Sequence, residues 1–233
     1  MKQPTTPVLK VSHLSVKIEG FAILRDVSFE LQQGETLVVI GPNGAGKTVL
    51  LKALLGLIPH TGEIEFRGDL KLGYVPQRVP LNRDLPVSVL DFFFIKGVNP
   101  ENTLRALEQV GITDPDFLKK PLGALSSGQF QRVLIAWSVV NKPHVLLFDE
   151  PTSGVDVTGE ETIHTLLHKM QEALNLTTIL VTHDLNVVCA KATQVLCLNK
   201  QQVCYGKPKD ILTADTLKSL YGGDVKFFEH THV

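Results

Sequence analysis

The sequence predicts an α/β protein with a mainly parallel sheet, an N-terminal antiparallel β subdomain and an inserted helical subdomain. Uninterrupted apolar runs, typical of strands buried on both faces of a parallel sheet, occur at residues 36–40, 145–148 and 178–181. Apolar–polar alternation, typical of half-exposed antiparallel strands, occurs at residues 27–32 and 63–66. Buried strands separated by helical stretches indicate a right-handed βαβ core.

The helical subdomain is predicted where strand-forming runs fade, between Pro86 and Asn141. Its clearest helix carries one apolar face at i, i+3, i+4 and i+7, formed by Phe130, Val133, Leu134 and Trp137. We therefore expect a single domain over residues 7–222, with the helical subdomain inserted at about 87–141. A short histidine-containing tail, residues 223–233, follows.

Composition narrows the function classes. The 233 residues are 43% hydrophobic and 20% charged, as in a folded globular protein, and the net charge of -1 offers no basic excess for nucleic acid. The most apolar segment, residues 49–58, contains Lys52 and is far shorter than the roughly 20 residues that span a bilayer. Any membrane role is thus expected to come through a partner. The three cysteines (Cys189, Cys197 and Cys204) lack a zinc-ligand spacing and are expected to be reduced thiols.

A phosphate-binding loop follows the first buried strand and precedes a helical stretch at 49–57. The pattern GxxxxGK[ST] is matched in full by Gly41, Pro42, Asn43, Gly44, Ala45, Gly46, Lys47 and Thr48. Glycines let backbone N–H groups converge on phosphates, and the helix dipole favours the anion. Lys47 is expected to reach the β- and γ-phosphates, and the Thr48 hydroxyl to bind Mg²⁺.

Two acids, Asp149 and Glu150, directly follow the buried strand at 145–148. Carboxylates there are costly unless they bind something, and neighbouring side chains point opposite ways, so each acid can have its own role. Asp149 is expected to bind Mg²⁺, and Glu150 to orient and polarise an attacking water. The structural alternative is that both acids cap the segment that follows.

A second helix N-terminus opens the amphipathic helix predicted to start near Phe130. It consists of Ser126, Ser127, Gly128 and Gln129, and its hydroxyls and N–H groups suit an anion. It carries no lysine, which favours a role in completing a phosphate site on another copy of the chain.

Taken together, these motifs resemble those of the ATP-binding cassette (ABC) ATPases, in the family's order and over nearly the whole chain. In this resemblance Ser126–Gln129 is the signature and Gln77, in residues 73–77, is the Q-loop glutamine. Residues 153–156 match the D-loop, and residues 182–184 contain the switch histidine, His183. The fold class is accordingly a P-loop NTPase of the ABC type.

The resemblance implies ATP as substrate, Mg²⁺ as cofactor and a head-to-tail homodimer. Each ATP then lies between the Lys47 loop of one chain and the signature of the other. Gln77 is implied to sense Mg²⁺ and the attacking water, and His183 to contact the γ-phosphate.

Three positions depart from the family pattern. Val49 stands where Ser or Thr usually contacts the α-phosphate, leaving only its backbone N–H for that role, and Ser127 replaces the usual glycine. The usual adenine-stacking aromatic falls near Ile18, with Phe21 the nearest ring. We expect weaker adenine stacking but retained hydrolysis.

A single cassette without a membrane segment looks most like the ATPase of a bacterial importer. Four stretches resemble the zinc and manganese branch, in particular zinc importers: residues 73–77, 85–89, 154–157, and 183–185 through 195–199. This implies an integral-membrane permease as partner, indirectly a metal-binding protein, and a place at the cytoplasmic face of the inner membrane. Manganese, an iron chelate or a non-transport regulatory role are the alternatives.

One of Phe92, Phe93 and Phe94 is expected to line a permease groove. A metal role of His230 and His232 is the less favoured interpretation of the tail.

Overall fold

The computed structural model describes residues 6–77, 79, 86–150 and 176–222, which fall into two compact units. The first unit contains residues 6–69 and 179–222, and the second contains the described residues between 70 and 178. The predicted D-loop at 153–156 and the tail at 223–233 lie outside the described residues. The single-domain boundaries at 7 and 222 stay a prediction.

The secondary structure of the described residues alternates between strands and short helices. The strands are β1 (Leu9–Ile18), β2 (Phe21–Leu31), β3 (Thr36–Ile40), β4 (Thr61–Phe66), β5 (Leu72–Val75), β6 (Val145–Asp149), β7 (Thr177–Val181), β8 (Gln194–Leu198) and β9 (Gln202–Gly206). The helices are α1 (Lys47–Leu54), α2 (Val89–Phe94), α3 (Pro100–Gln109), α4 (Ser127–Val139), α5 (Leu185–Lys191), α6 (Pro208–Ile211) and α7 (Ala214–Tyr221). None of them is long and apolar enough to cross a membrane.

The first unit contains the predicted antiparallel sheet, with strand order β2-β1-β4. Leu9 lies opposite Leu31 on one side and Phe66 on the other. Alternate residues of β2, including Val27 and Phe29, are buried, so period-two patterning identified these strands correctly.

Parallel pairing occurs in both units, as expected for the core. In the first unit β3 pairs parallel with β8, and β9 returns antiparallel to β8. In the second unit β5 pairs parallel with β6. All residues of β3 and β6 are buried, which confirms the interpretation of their uninterrupted apolar runs.

The predicted helical segment contains α2, α3 and α4, all within the second unit. On the predicted apolar face of α4, Val133 and Leu134 are buried. Trp137 stacks on Phe92 with ring centroids 4.9 Å apart, and the Lys96 ammonium lies 3.6 Å from the Trp137 ring centroid. This face therefore packs α4 against α2.

The expectation of three reduced thiols is wrong for two of them. Cys197 on β8 lies directly opposite Cys204 on β9, with Cα atoms 4.8 Å apart, and the two form a disulfide. That Cα separation lies within the ordinary range for disulfides. Cys189 is free and exposed.

Candidate active site

The phosphate-binding loop lies in the first unit and leads directly into α1. Gly44 and Gly46 have φ values of 77° and 97°, in the region that favours glycine. Gly46 is the residue before the first turn, and Leu50 N donates to its carbonyl at 2.8 Å. The helix thus begins at Lys47, two residues earlier than its apolar pattern predicts, with its N-terminus at the loop.

Lys47 is buried, with 7% of its surface exposed. Its Nζ donates to the carbonyl oxygens of Gly41 at 2.8 Å and Pro42 at 3.1 Å. These oxygens compensate the ammonium for part of its lost hydration. The lysine side chain is therefore folded back onto the first two residues of the loop.

Two of the predicted departures lie in the first unit, one in the β1–β2 hairpin and one on α1. Ile18 and Phe21 face each other across the β1–β2 hairpin and are 42% and 74% exposed, respectively. Val49 is half-buried on α1. Both hairpin side chains are accessible, so the assignment of the stacking residue to Phe21 stays a prediction.

The second unit brings together the acidic pair and the Q-loop glutamine. Gln77, beyond the end of β5, donates from Nε2 to Glu150 Oε2 at 2.7 Å. Glu150 has a φ of 45°, a conformation that is costly for a residue with a side chain. Strain of this kind recurs at functional sites, where the surrounding structure holds it in place. The carboxylate is thus held at the end of β6 by a residue 73 positions away in the chain.

Asp149 is the last residue of β6 and is 2% exposed. The Tyr74 hydroxyl lies 3.5 Å from its Oδ2 atom. Burial, together with the negative charge of Asp149, raises the pKa of Tyr74 to about 12, so this hydroxyl keeps its proton at neutral pH. The sequence prediction did not include Tyr74, although its alternation with buried Gly73 and Val75 in β5 was a usable signal.

The residues proposed to hold Mg²⁺ fit that ion in their chemistry. Thr48, Asp149 and Gln77 offer a hydroxyl, a carboxylate and an amide oxygen, the hard oxygen ligands that Mg²⁺ prefers. A nearly buried carboxylate such as Asp149 is costly unless donors or a cation offset its charge.

The signature segment forms a capping box at the start of α4. Ser126 Oγ accepts from Gln129 N at 3.2 Å, and Gln129 Oε1 accepts from Ser126 N at 3.1 Å. The helix begins at Ser127, three residues before the predicted start near Phe130, because these reciprocal bonds close its first turn. Ser126, Ser127 and Gln129 are exposed, so this N-terminus is accessible to a ligand.

His183 lies in the short connection between β7 and α5 and is exposed. Its neighbours fix the connection: Thr182 Oγ1 accepts from Asp184 N at 3.1 Å, and Asp184 caps α5 by accepting from Asn186 N at 2.8 Å. The imidazole is therefore presented from a short, hydrogen-bonded turn at the end of a buried strand.

Comparison with known proteins identifies the family. Residues 24–153, which include the phosphate loop, Gln77, the signature and both acids, match the family model for the ABC transporter. The chain belongs to the ABC transporter family. It is an ABC-type ATPase with no membrane-spanning helix among its described residues.

Relatives in this ABC family match over nearly the full chain. The zinc import ATP-binding protein ZnuC of Pseudomonas aeruginosa is 37% identical over 97% of this chain and 85% of its own length. ZnuC of Haemophilus influenzae is also 37% identical, over 99% of this chain and 88% of its own. ZnuC 1 of Hahella chejuensis is 39% identical over 93% of this chain and 84% of its own length.

Solved ABC structures share the fold. A transporter assigned to the metal-chelate type, in an inward-facing conformation, superposes with a TM-score of 0.81 at 29% identity, covering 92% of this chain and 89% of the other. CbiO1 of Clostridium perfringens, part of the transporter complex cbiONQ, superposes with a TM-score of 0.73 at 29% identity, covering 91% of this chain and 93% of the other. The cassette MJ1267 in its ADP conformation superposes with a TM-score of 0.79 at 20% identity, covering 94% of this chain and 100% of the other. At this identity the likeness is one of fold alone. The predicted ABC ATPase fold is confirmed.

Proposed function

We propose that this ABC ATPase powers a bacterial importer of metal ions and that the ion is zinc. The relatives named zinc import ATP-binding protein, which match 93–99% of the chain, support the choice of zinc. The hydrogen bond from Gln77 to Glu150, next to the buried Asp149, is the observation that carries hydrolysis. Manganese and an iron chelate are the competing substrates.

The proposed reaction assigns one task to each residue. Loop amides and Lys47 bind the β- and γ-phosphates, and His183 contacts the γ-phosphate. Glu150, held by Gln77, orients the attacking water and accepts its proton. Thr48, Asp149 and Gln77 are the residues that would hold Mg²⁺, which would neutralise phosphate charge when bound. Because phosphoryl transfer depends mainly on positioning and charge, these contacts account for the proposed catalysis.

The site is proposed to be completed by a second copy of the chain. The signature at Ser126–Gln129 has an exposed helix N-terminus but no cation of its own. It therefore suits an ATP whose other phosphate contacts come from the Lys47 loop of the partner copy. This arrangement predicts a homodimer that closes when ATP is bound and opens after hydrolysis.

The membrane partner is proposed to contact the end of α2. Phe93 is fully buried, and the half-buried Phe92 stacks on Trp137, so two of the three phenylalanines already have packing partners within the unit. Phe94 and Ile95 are 73% and 72% exposed, which leaves an apolar pair at the surface of the second unit. Exposed neighbouring apolar side chains suit a protein contact. We assign the contact to an integral-membrane permease at the cytoplasmic face of the inner membrane, and through it indirectly to a metal-binding protein.

Co-purification tests the permease contact. Membranes are solubilised from cells that contain a tagged chain, and the multi-spanning protein that elutes with it is quantified. Replacing both Phe94 and Ile95 by alanine should reduce its recovery at least tenfold. Leu57→Ala, which removes another exposed apolar side chain, should leave recovery unchanged. Normal recovery with the double variant rejects this surface, and recovery of only soluble partners favours a regulator instead.

Metal uptake tests the substrate. Cells that lack the chain are given labelled zinc, manganese or iron chelate at limiting concentration. Wild-type chain should restore zinc uptake, whereas Lys47→Ala should not, because its loop no longer binds the phosphates through an ammonium. Restoration of manganese or iron chelate uptake, without zinc, contradicts the assignment.

A further inference from the structure

The phosphate-binding loop packs against the turn between β8 and β9. Lys200 N, in this turn, donates to Ala45 O in the loop at 2.9 Å. At the start of the loop, a Cβ atom on Gly41 would overlap Leu198 O, so a glycine is required there by close backbone approach. The backbone at the turn therefore contacts the loop at its first residue and again four residues later.

The turn has a conformation that other contacts must hold in place. Lys200 has a φ of 58°, which is costly for a residue with a side chain. Its carbonyl oxygen accepts from Arg25 N of β2 at 2.8 Å. The pairing of β8 with β9 shifts register between Cys197 and Leu198, so the ladder is irregular where it enters the turn. The last regular pair before this irregularity is Cys197 opposite Cys204.

A disulfide joins that last regular pair. Cys197 on β8 is buried, and Cys204 on β9 is half-buried. Disulfides are rare in the cytosol, and those that do form there are usually transient, catalytic or redox-sensing. Under the proposed function this chain works at the cytoplasmic face of the inner membrane, and no cysteine is among the residues assigned to catalysis. A redox-sensing role is therefore the one that fits this pair.

We propose that Cys197 and Cys204 form a redox modification site, and that their disulfide strengthens ATP binding by holding the turn against the phosphate loop. The inference rests on the proposed binding of ATP at this loop. In the reduced chain the turn lacks the cross-link and samples more conformations. A preformed loop loses less conformational freedom when the nucleotide binds, so the benefit appears in affinity rather than in the chemical step.

The oxidant in this proposal is a low-molecular-mass disulfide such as glutathione disulfide. The thiolate of Cys204, the more accessible of the pair, attacks one sulfur of glutathione disulfide and releases a glutathione thiolate. The thiolate of Cys197 then attacks the Cys204 sulfur of the mixed disulfide, closes the intramolecular bond and releases the second glutathione thiolate. The cysteine pair loses two electrons and two protons, which leave in two glutathione thiols. Excess glutathione reverses both steps.

The test measures ATP binding by the full-length chain in mixtures of glutathione and glutathione disulfide, from fully reducing to fully oxidising. Oxidised wild type should bind ATP about three- to tenfold more tightly than reduced wild type, the effect of one neutral hydrogen bond, with kcat unchanged. KM for ATP should fall by the same factor, and the change should reverse when reducing conditions are restored. Equal dissociation constants for the two redox states overturn the proposal.

Two cysteine variants assign the response to this pair. Cys204→Ser cannot form the disulfide and should bind ATP as the reduced wild-type chain does in every mixture. The matched control is Cys189→Ser, which removes the free, exposed thiol and leaves the pair intact, and it should keep the full response. A response that survives in Cys204→Ser, or that is lost in Cys189→Ser, rejects the assignment to the pair.

The comparison of oxidised with reduced wild type needs no substitution, so it stands even where Cys204→Ser does not fold. Alkylation of free thiols followed by mass spectrometry measures the fraction of chains that carry the disulfide in the same samples. ATP affinity should follow that fraction, and an affinity that changes while both thiols stay free contradicts the proposal. Failure of the proposed function is recognised separately, because the oxidised and the reduced chain then both show no ATP binding.

Discussion

Replacing Glu150 by glutamine separates catalysis from structure, because the side chain keeps its shape and loses its basicity. General-base catalysis contributes about 10²–10⁴-fold, or roughly 2.7–5.4 kcal/mol of barrier. The 2.7 Å bond from Gln77 changes from charge-assisted to neutral, which costs about 1 kcal/mol. For a chain of this length that cost corresponds to a fall in Tm of about 2–4 °C. The loss of activity should therefore far exceed the loss of stability.

The assay is phosphate release at saturating ATP and Mg²⁺, together with the size of the ATP-bound species. Glu150→Gln should reduce kcat at least 100-fold and accumulate an ATP-bound dimer, since hydrolysis no longer opens it. The control is Glu101→Gln, which removes an exposed carboxylate paired with Arg105 at 2.7 Å in the same unit. Its turnover should equal that of wild type. A Glu150→Gln chain that turns over within threefold of wild type would refute the assignment of the base.

Two further substitutions test the loop and the disulfide. In Gly46→Ala the new Cβ lies 2.5 Å from Leu24 Cδ2 at a φ of 97°, so stability should fall by about 1–3 kcal/mol and ATP affinity should fall with it. The control is Gly20→Ala, where φ is 82° but the new Cβ would have no atom within 4 Å. This variant should lose stability without losing ATP affinity. Equal ATP affinities in the two variants would contradict the packing argument. Cys204→Ser opens the loop closed with Cys197, which should lower stability by about 2.5 kcal/mol under oxidising conditions. The difference in Tm between Cys204→Ser and wild type should vanish when a reductant is present. A Tm difference that persists unchanged in reductant would count against the disulfide.

Local sequence patterns predicted the strands well, because burial of one or both faces of a strand determines which of its positions are apolar. Period two in β2 and the uninterrupted apolar run of β3 each identify a strand and its surroundings. The starts of α1 and α4 were placed too late, because apolar periodicity marks the packed face of a helix and not its first turn. In the structure those first turns are set by Gly46 and by the Ser126–Gln129 capping box.

Long-range contacts carried no such local signal. The bond from Gln77 to Glu150 joins residues 73 positions apart, and Tyr74 lies 75 positions from Asp149. The disulfide depends on strand register, which shifts just after Cys197 and is not visible in the residue spacing. The sequence therefore predicted candidate site residues, and the structure adds hydrogen-bonded neighbours of Glu150 and Asp149 that the sequence could not place.

The most direct test of the whole account is zinc accumulation by sealed vesicles that contain this chain and its permease. With the chain and ATP on the same side, zinc should accumulate together with phosphate release, and a non-hydrolysable ATP analogue should support neither. Vesicles made with Glu150→Gln should accumulate no zinc. Accumulation at the wild-type rate with that variant would contradict the claim that ATP hydrolysis by this chain drives zinc import.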